Sequence, residues 1–496
     1  MDEEFPPRAQ QIIEATVTAG VPGVVAMARD REGVTFCGAA GVRRLGEPAP
    51  MTADTLFALF SCTKALTATA ALRLVEEGRL DLDRPAKDYL PALGEVGVYD
   101  GVAADGTLRL RAPKRDITAR MLMLHTAGFG YDFANPVIRR LLDENLLTPH
   151  RSATLAGFQQ PLVNEPGERW EYGLSLDWLG LVVEAVAGAK LDEVLRSYVL
   201  EPLGMRETAH LPSAELQTRL AAMHQREPDG RVTPLDMRPR ERLQIFPGGG
   251  GMYGTVGDYM RFLGMWLNDG AGVLKPETVA WAARGGIFVT PLPTVDRQVT
   301  GDIDFFPGLR KSWAYSFLHL DEDAPTGRAA GSLSWGGLGN LYFWIDRRNG
   351  VAGFWASSCI RSWTRPRSAA RWRSRPRFTR GLRERRAPGQ TERHGPAREY
   401  FRRHDRRSRS RRHGRDHRRR ACAGHADGLW HAVHDPADGD GERAGDQGAS
   451  AGGFCVRRRP CRRAASGADA ARAAGRGDIA GDREDADQRA VRGSGA

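Results

Sequence analysis

Between residues 8 and 18 apolar and polar positions alternate with a helical rhythm, which predicts a short amphipathic helix that Gly20-Val21-Pro22-Gly23 breaks. Residues 24–28 and 34–38 are runs of small, β-branched and aromatic residues on either side of a charged turn at 29–33, and predict two strands. From Leu56 onward the rhythm is helical again. Leu66, Ala70, Leu72 and Val75 form one apolar face, and Gly78 supplies a stop. Further helices are predicted over 117–124, 176–186, 191–199 and 256–267. Turns at 80–85 and 165–172 and glycine-punctuated loops at 125–130 and 247–251 separate them. Beyond residue 311 the character changes, and the aromatic and β-branched runs 312–320, 341–345 and 351–356 predict strands. Strands open and close the body and helices fill its middle. The economical architecture is one sheet built from both chain ends with a helical region inserted between them.

Charge changes this picture at the C-terminal end. The 496 residues carry a net charge of +11, but residues 358–496 hold 35 Arg, no Lys and 17 Asp plus Glu, a net of +18, while the residues before them net −7. The basic balance belongs to the tail and says nothing of partners for the body. Leu, Ile, Val and Phe number only 10 among the 139 tail residues. That is far below the roughly 20 % under which a charged chain stays disordered. Arginine runs such as 402–412 read at face value as a nucleic-acid patch. Arginine without lysine, amid Ala, Gly and Pro, is also what GC-rich DNA yields when translated out of frame. We take 358–496 to be such a tail and expect no nucleic-acid partner for it.

Only Cys37 and Cys62 fall in the first 357 residues, too few for a disulfide framework. The N-terminus, Asp2-Glu3-Glu4, is acidic with no apolar core behind it, and no run of about 18 apolar residues occurs. Neither a secretory signal nor a membrane partner is read, and a cytoplasmic location is expected.

Candidate chemistry begins at Ser61-Cys62-Thr63-Lys64. At the head of a helix this spacing puts Ser61 and Lys64 on one face. A serine hydroxyl becomes a nucleophile only when a base takes its proton, and here an amine lies one turn away. The Ser61 N–H, at a helix start, has no intrahelical acceptor and is available to a developing oxyanion. No Gly-x-Ser-x-Gly occurs in residues 1–357, and no histidine partner for a triad is read. The glycine run at 247–251 lacks the Lys-Ser/Thr of a phosphate loop. Scattered histidines and cysteines do not fit a zinc spacing. No metal or organic cofactor is expected.

Three stretches stand in a telling order: Ser61-Cys62-Thr63-Lys64, Trp170-Glu171-Tyr172-Gly173-Leu174-Ser175 and Ser334-Trp335-Gly336-Gly337-Leu338. They resemble the serine β-lactamase / penicillin-binding-protein superfamily, and within it the class C β-lactamase-like esterases known as family VIII carboxylesterases. Residues 117–128, 201–205, 249–253 and 342–346 extend the resemblance over residues 8–357. It implies an α+β, β-lactamase-like fold, with an antiparallel sheet built from both chain ends and flanked by helices. Residues 1–60 would give the N-terminal part of the sheet, 61–304 the helical region with the nucleophile, 305–357 the closing strands and 358–496 the tail.

The resemblance also implies roles. Ser61 is the nucleophile, and Lys64 and Tyr172 share the work of the base, with the acylation base itself left open. The N–H groups of Ser61 and Leu338 form the oxyanion hole, and Trp335, Gly336 and Gly337 edge the substrate site. The implied activity is hydrolysis of small-molecule esters of short acyl groups through an acyl-enzyme. A β-lactamase or D-alanyl peptidase, a small-molecule acyltransferase, and a dead member truncated by a frame change are the alternatives. Two departures bear on the choice. Trp335 stands where lactamases carry a carboxylate-binding lysine, and Gly173-Leu174 replaces Ala-Asn; both favour uncharged esters over β-lactams. Members of this family close with a helix packed on the sheet, which nothing in the tail offers.

Overall fold

A computed structural model describes residues 5–360, apart from 228, 290, 291, 293, 294 and 296–304. The described residues lie within one compact unit, Met1–Cys455. The expectation of a disordered tail falls, from 361 onward, outside the described residues.

The chain builds an eight-stranded sheet from both ends of the body. Its strands are β1 (Gly23–Asp30), β2 (Val34–Gly41), β3 (Ile287–Phe288), β4 (Lys311–Trp313), β5 (Leu318–Leu320), β6 (Leu333–Gly337), β7 (Leu341–Asp346) and β8 (Val351–Ser357). They lie in the order β2-β1-β8-β7-β6-β5-β4-β3, every pairing antiparallel. The first and last strands of the body are neighbours, with Val25 opposite Ala356 and Met27 opposite Phe354. This is the antiparallel sheet built from both chain ends that the resemblance led us to expect.

The two-residue period of the strands sorts side chains between two layers. Val25, Met27, Phe343, Ile345, Phe354 and Ala356 face inward, against helix α5 (Val256–Leu267) and the main core. Val24, Ala26, Ala28 and Trp344 face outward, where Phe5, Ala9 and Ile13 of helix α1 (Phe5–Thr18) cover them. Burying each Val, Ile, Met or Phe among them contributes about 1.5–3 kcal/mol, so both layers hold the sheet.

The helical middle packs on α2 (Thr63–Glu76). Its residues are buried on nearly every side from Thr63 to Leu72, not on one face alone. Ala65, Ala68, Ala70 and Ala71 keep it slim enough for α4 (Ser175–Ala187) to pack alongside. Its buried hydroxyls are satisfied, Thr67 donating to the Gly248 carbonyl at 2.8 Å and Thr69 to Ala65 at 2.8 Å. A short helix, α3 (Ala119–Met123), is capped by Thr118 and leads into the His125 loop.

Three readings need correction. The run 312–320 is not one strand but the hairpin β4–β5. Ala314 N–H donates to Phe317 across the turn, and Ser316 takes a left-handed φ of 67°. No Gly or Asn marks that turn, so β-forming residues run straight through it. Strand β3 lies inside the stretch assigned to helices, at Ile287–Phe288. The folded body also runs past 357: Ser358 and Cys359 are buried, and Cys359–Ile360 pairs in parallel with His224–Arg226.

Candidate active site

The chain enters the site through a strained turn. Phe60, a non-glycine residue, holds a left-handed φ of 46°, a conformation found where surrounding structure enforces it. Ser61 sits in the single 3₁₀ turn Phe60–Cys62 that leads into α2, one turn ahead of the α-helix on which it was expected. Two contacts fix this turn. Leu59 N–H donates to the Met252 carbonyl at 2.8 Å. Gly337, at the end of β6, lies so close that a Cβ there would come within 2.6 Å of the Leu59 carbonyl.

Lys64 is wholly buried and its amine has three partners: Ser61 Oγ at 3.1 Å, Tyr131 OH at 3.1 Å and the Gly249 carbonyl at 2.6 Å. Its nitrogen also lies over two aromatic rings, 5.1 Å from the centroid of Tyr131 and 4.9 Å from that of Tyr172. Ser61, Lys64 and Tyr172 are thus brought together from positions up to 111 residues apart in sequence.

A second layer orients these groups. Asp177, in the first turn of α4, accepts from Tyr131 O–H through Oδ2 at 3.2 Å and from Gly249 N–H through Oδ1 at 3.0 Å. Burial, with the Asp177 charge second, holds the Tyr131 hydroxyl well above the ordinary tyrosine range, so it stays a neutral hydroxyl. Trp335 Nε1 donates to the Tyr172 oxygen at 3.1 Å. His125 packs against Tyr172, 4.9 Å between centroids. Burial, aided by the Lys64 charge, holds it well below the usual histidine range, hence neutral. Burial likewise raises the Cys62 thiol, which favours a packed thiol over a thiolate nucleophile.

Not every expected residue reaches the site in the same way. Trp335 and Gly337 face inward. Gly336 alternates to the other side of β6, where a Cβ would meet the Leu341 carbonyl at 2.6 Å and the Tyr342 ring. Leu338 opens the turn after β6 and does not sit on the strand itself. Tyr131, Asp177 and the Gly249 carbonyl were not singled out from sequence. An acid inside the apolar run Leu174–Val183 was the available signal for Asp177.

Close approach of the backbone and of a carboxylate accounts for the glycines at 173 and 249. A Cβ on Gly173 would lie 2.0 Å from the Phe129 carbonyl oxygen, and one on Gly249 would lie 2.4 Å from Asp177 Oδ2. Neither position accommodates alanine without movement of backbone or carboxylate. Tyr131, Trp170, Trp313, Trp335 and Phe305 surround Tyr172 and Trp335 with aromatic faces.

Residues 9–371 match the Beta-lactamase family. The chain belongs to the beta-lactamase family. As a member of it, the protein is similar to monacolin J acid methylbutanoyltransferase of Aspergillus terreus, 32 % identical over 364 residues that span 68 % of this chain and 86 % of the relative. It is also similar to lovastatin esterase of Penicillium rubens, 30 % identical over 366 residues, 69 % of this chain and 90 % of that enzyme. A solved structure of simvastatin synthase from Aspergillus terreus, the LovD6 mutant, superposes with a TM-score of 0.65 at 26 % identity, over 77 % of this chain and 96 % of that one. This beta-lactamase family member is a serine-hydrolase-type enzyme in a superfamily that carries out acyl transfer. Among the described residues no helix is long and apolar enough to cross a membrane, and no group of three or more His, Cys, Asp or Glu is placed to hold a metal ion.

Proposed function

We propose that the protein cleaves small-molecule carboxylic esters of short acyl groups through an acyl-enzyme on Ser61. The observation that carries this reading is the buried Lys64 amine, 3.1 Å from Ser61 Oγ and 4.9 Å from the centroid of the Tyr172 ring. In acylation Ser61 Oγ bonds the acyl carbon and its proton passes to the Lys64–Tyr172 pair. The tetrahedral intermediate collapses with loss of the alkoxide, which takes that proton and leaves as the alcohol. Water then attacks the ester carbonyl of the acyl-enzyme, gives up a proton to the same pair, and Ser61 recovers it as the acid departs. The N–H groups of Ser61 and Leu338 are the donors we assign to the oxyanion, one on the strained turn and the other just after β6. Trp335 presents a neutral donor and an aromatic face in place of a cation, which supports uncharged esters as substrates.

A second reading has support of its own. One relative at 32 % identity is a methylbutanoyltransferase. The aromatic wall around Tyr172 suits an apolar alcohol as the group that accepts the acyl chain. Hydrolysis and transfer share the acyl-enzyme and differ only in its acceptor.

The test is turnover of p-nitrophenyl acetate and butyrate beside nitrocefin, with and without an added alcohol. The reading predicts nitrophenol release that Ser61→Ala abolishes, and little or no nitrocefin cleavage. Ester formation with the alcohol at the expense of free acid selects transfer. Undiminished nitrophenol release by Ser61→Ala overturns both.

A further inference from the structure

We propose that Asp177 is a positioning residue which, through Tyr131 and Gly249, orients the Lys64 amine so that its lone pair, once the amine is unprotonated, faces Ser61 and makes Lys64 the acylation base. This deepens the reading above and rests on it.

The argument is one of hydrogen-bond inventory. A neutral lysine amine has two N–H groups and one lone pair, and Lys64 has three partners. The Gly249 carbonyl only accepts, so one N–H is committed to it at 2.6 Å. A tyrosine hydroxyl can donate or accept. Tyr131 has its single proton committed to Asp177 Oδ2, leaving only a lone pair for Lys64. The second N–H is therefore spent there. The remaining direction faces Ser61 Oγ, and in the neutral amine it holds the lone pair. In that unprotonated form Ser61 O–H donates to Lys64, the reverse of the N–H···Oγ bond that the ammonium makes across the same 3.1 Å. When the Oγ–carbon bond forms, that proton moves to nitrogen, and the resulting ammonium has its three N–H groups on the three oxygens already in place. If the Tyr131 proton turned the other way, the lysine lone pair would be spent on tyrosine and Ser61 would face an N–H.

One carboxylate sets both fixed partners. Oδ1 holds the Gly249 peptide through its N–H at 3.0 Å, and Oδ2 holds the Tyr131 proton. Among the described residues Asp177 makes no hydrogen bond or ion pair with Lys64; it acts through the two groups that hydrogen-bond the amine. The glycine at 249 is a condition of the device, since any Cβ there would strike Oδ2.

The other titratable groups around the pair do not reproduce this effect. Tyr172 and, behind it, neutral His125 face the amine from one side, and the protonated Cys62 thiol lies next in the chain. On the far side of Tyr131 stand His150, lowered by burial, and Asp132, whose charge is matched by Arg151 at 3.0 Å. Asp177 is the carboxylate that hydrogen-bonds both of the fixed acceptors.

The test is a pH–rate profile for p-nitrophenyl butyrate with Asp177→Asn, Tyr131→Phe and the double variant, alongside Ser61→Ala and melting curves. Asparagine keeps the size of aspartate but must turn an N–H toward Gly249 or Tyr131. We expect kcat to fall about tenfold to a hundredfold with KM within about twofold. Loss of the carboxylate also disfavours the ammonium, so the acidic limb of kcat moves to lower pH. The double variant loses well under the product of the two single losses, because Asp177 acts largely through Tyr131. A merely structural Asp177 would lower the melting temperature and leave the limb in place. An unmoved limb with near-normal kcat in Asp177→Asn, or losses that multiply, overturns the proposal while an inactive Ser61→Ala leaves the esterase reading standing. Full activity of Ser61→Ala overturns that reading as well.

Discussion

The indole N–H of Trp335 donates to the Tyr172 hydroxyl oxygen at 3.1 Å, joining the strand that edges the site to the tyrosine beside Lys64. Trp335 is held by Trp313 at 4.6 Å and Phe305 at 5.4 Å between ring centroids, so the donor has little freedom to leave. Trp335→Phe keeps the aromatic packing and removes the donor. It is expected to lower kcat about tenfold with a small change in melting temperature, as loss of one hydrogen bond to a group gaining charge requires. Steady-state kinetics beside a thermal melt reads both.

Lys64→Met and Tyr172→Phe should each reduce kcat/KM on the order of a hundredfold or more, if the two act as one base system. Because they serve as a unit, the double variant should be little worse than the poorer single one. Multiplicative losses would separate their roles.

Gly173→Ala tests the backbone approach behind the tyrosine. With the Phe129 carbonyl 2.0 Å from the new Cβ, the helix start or the loop must shift, at about 1–3 kcal/mol. Urea unfolding should show that loss, and activity should fall with it, since Tyr172 is the preceding residue.

Stability should also fall in acid for a reason unconnected with catalysis. His210 is buried, and desolvation lowers its pKa from 6.5 to about 4. The unfolded chain therefore binds a proton that the folded chain refuses between those values. The contribution is fully present above pH 6.5 and is lost as pH falls toward 4, by up to about 3 kcal/mol. His125 shifts in the same direction and adds to the trend. Unfolding midpoints measured from pH 7.5 to 4.5 should drop, and His210→Gln, which keeps a donor for the Pro247 carbonyl now 3.0 Å from Nε2, should drop less.

Limited proteolysis addresses the tail. Ordering a residue costs about 1–2 kcal/mol of backbone entropy, and burial returns only about 25 cal/mol per Å² of apolar surface. With so few large apolar residues, the sequence beyond Ile360 has little with which to offset that cost. The protease should trim the chain to a fragment ending near Ile360, where Cys359 is still buried against the strand at His224–Arg226. Resequencing the gene around codons 356–360 should find a one- or two-base change. A resistant fragment from within the tail would contradict this account.

Much of the fold was legible because it rests on local pattern. Strands at both ends, helices between them, and Ser61 with Lys64 as candidates follow from short motifs and periodicity, while Tyr172 was a candidate through the family resemblance. What was missed depends on tertiary contact. Tyr131 lies in an irregular loop with no period to read, and its use as an acceptor appears only once Asp177, 46 residues on, is brought beside it. The Gly249 carbonyl is backbone, which no side-chain motif announces. The β4–β5 hairpin was hidden because Ser316 adopts a left-handed φ without glycine.

The central claim is that Ser61 carries the acyl group. It is tested most directly by quenching the enzyme during turnover of p-nitrophenyl butyrate, or after a fluorophosphonate probe, and mapping the added mass by peptide mass spectrometry. We predict one adduct, on the peptide that contains Ser61, absent from Ser61→Ala. An adduct on any other residue, or stoichiometric labelling of Ser61→Ala, would contradict the account.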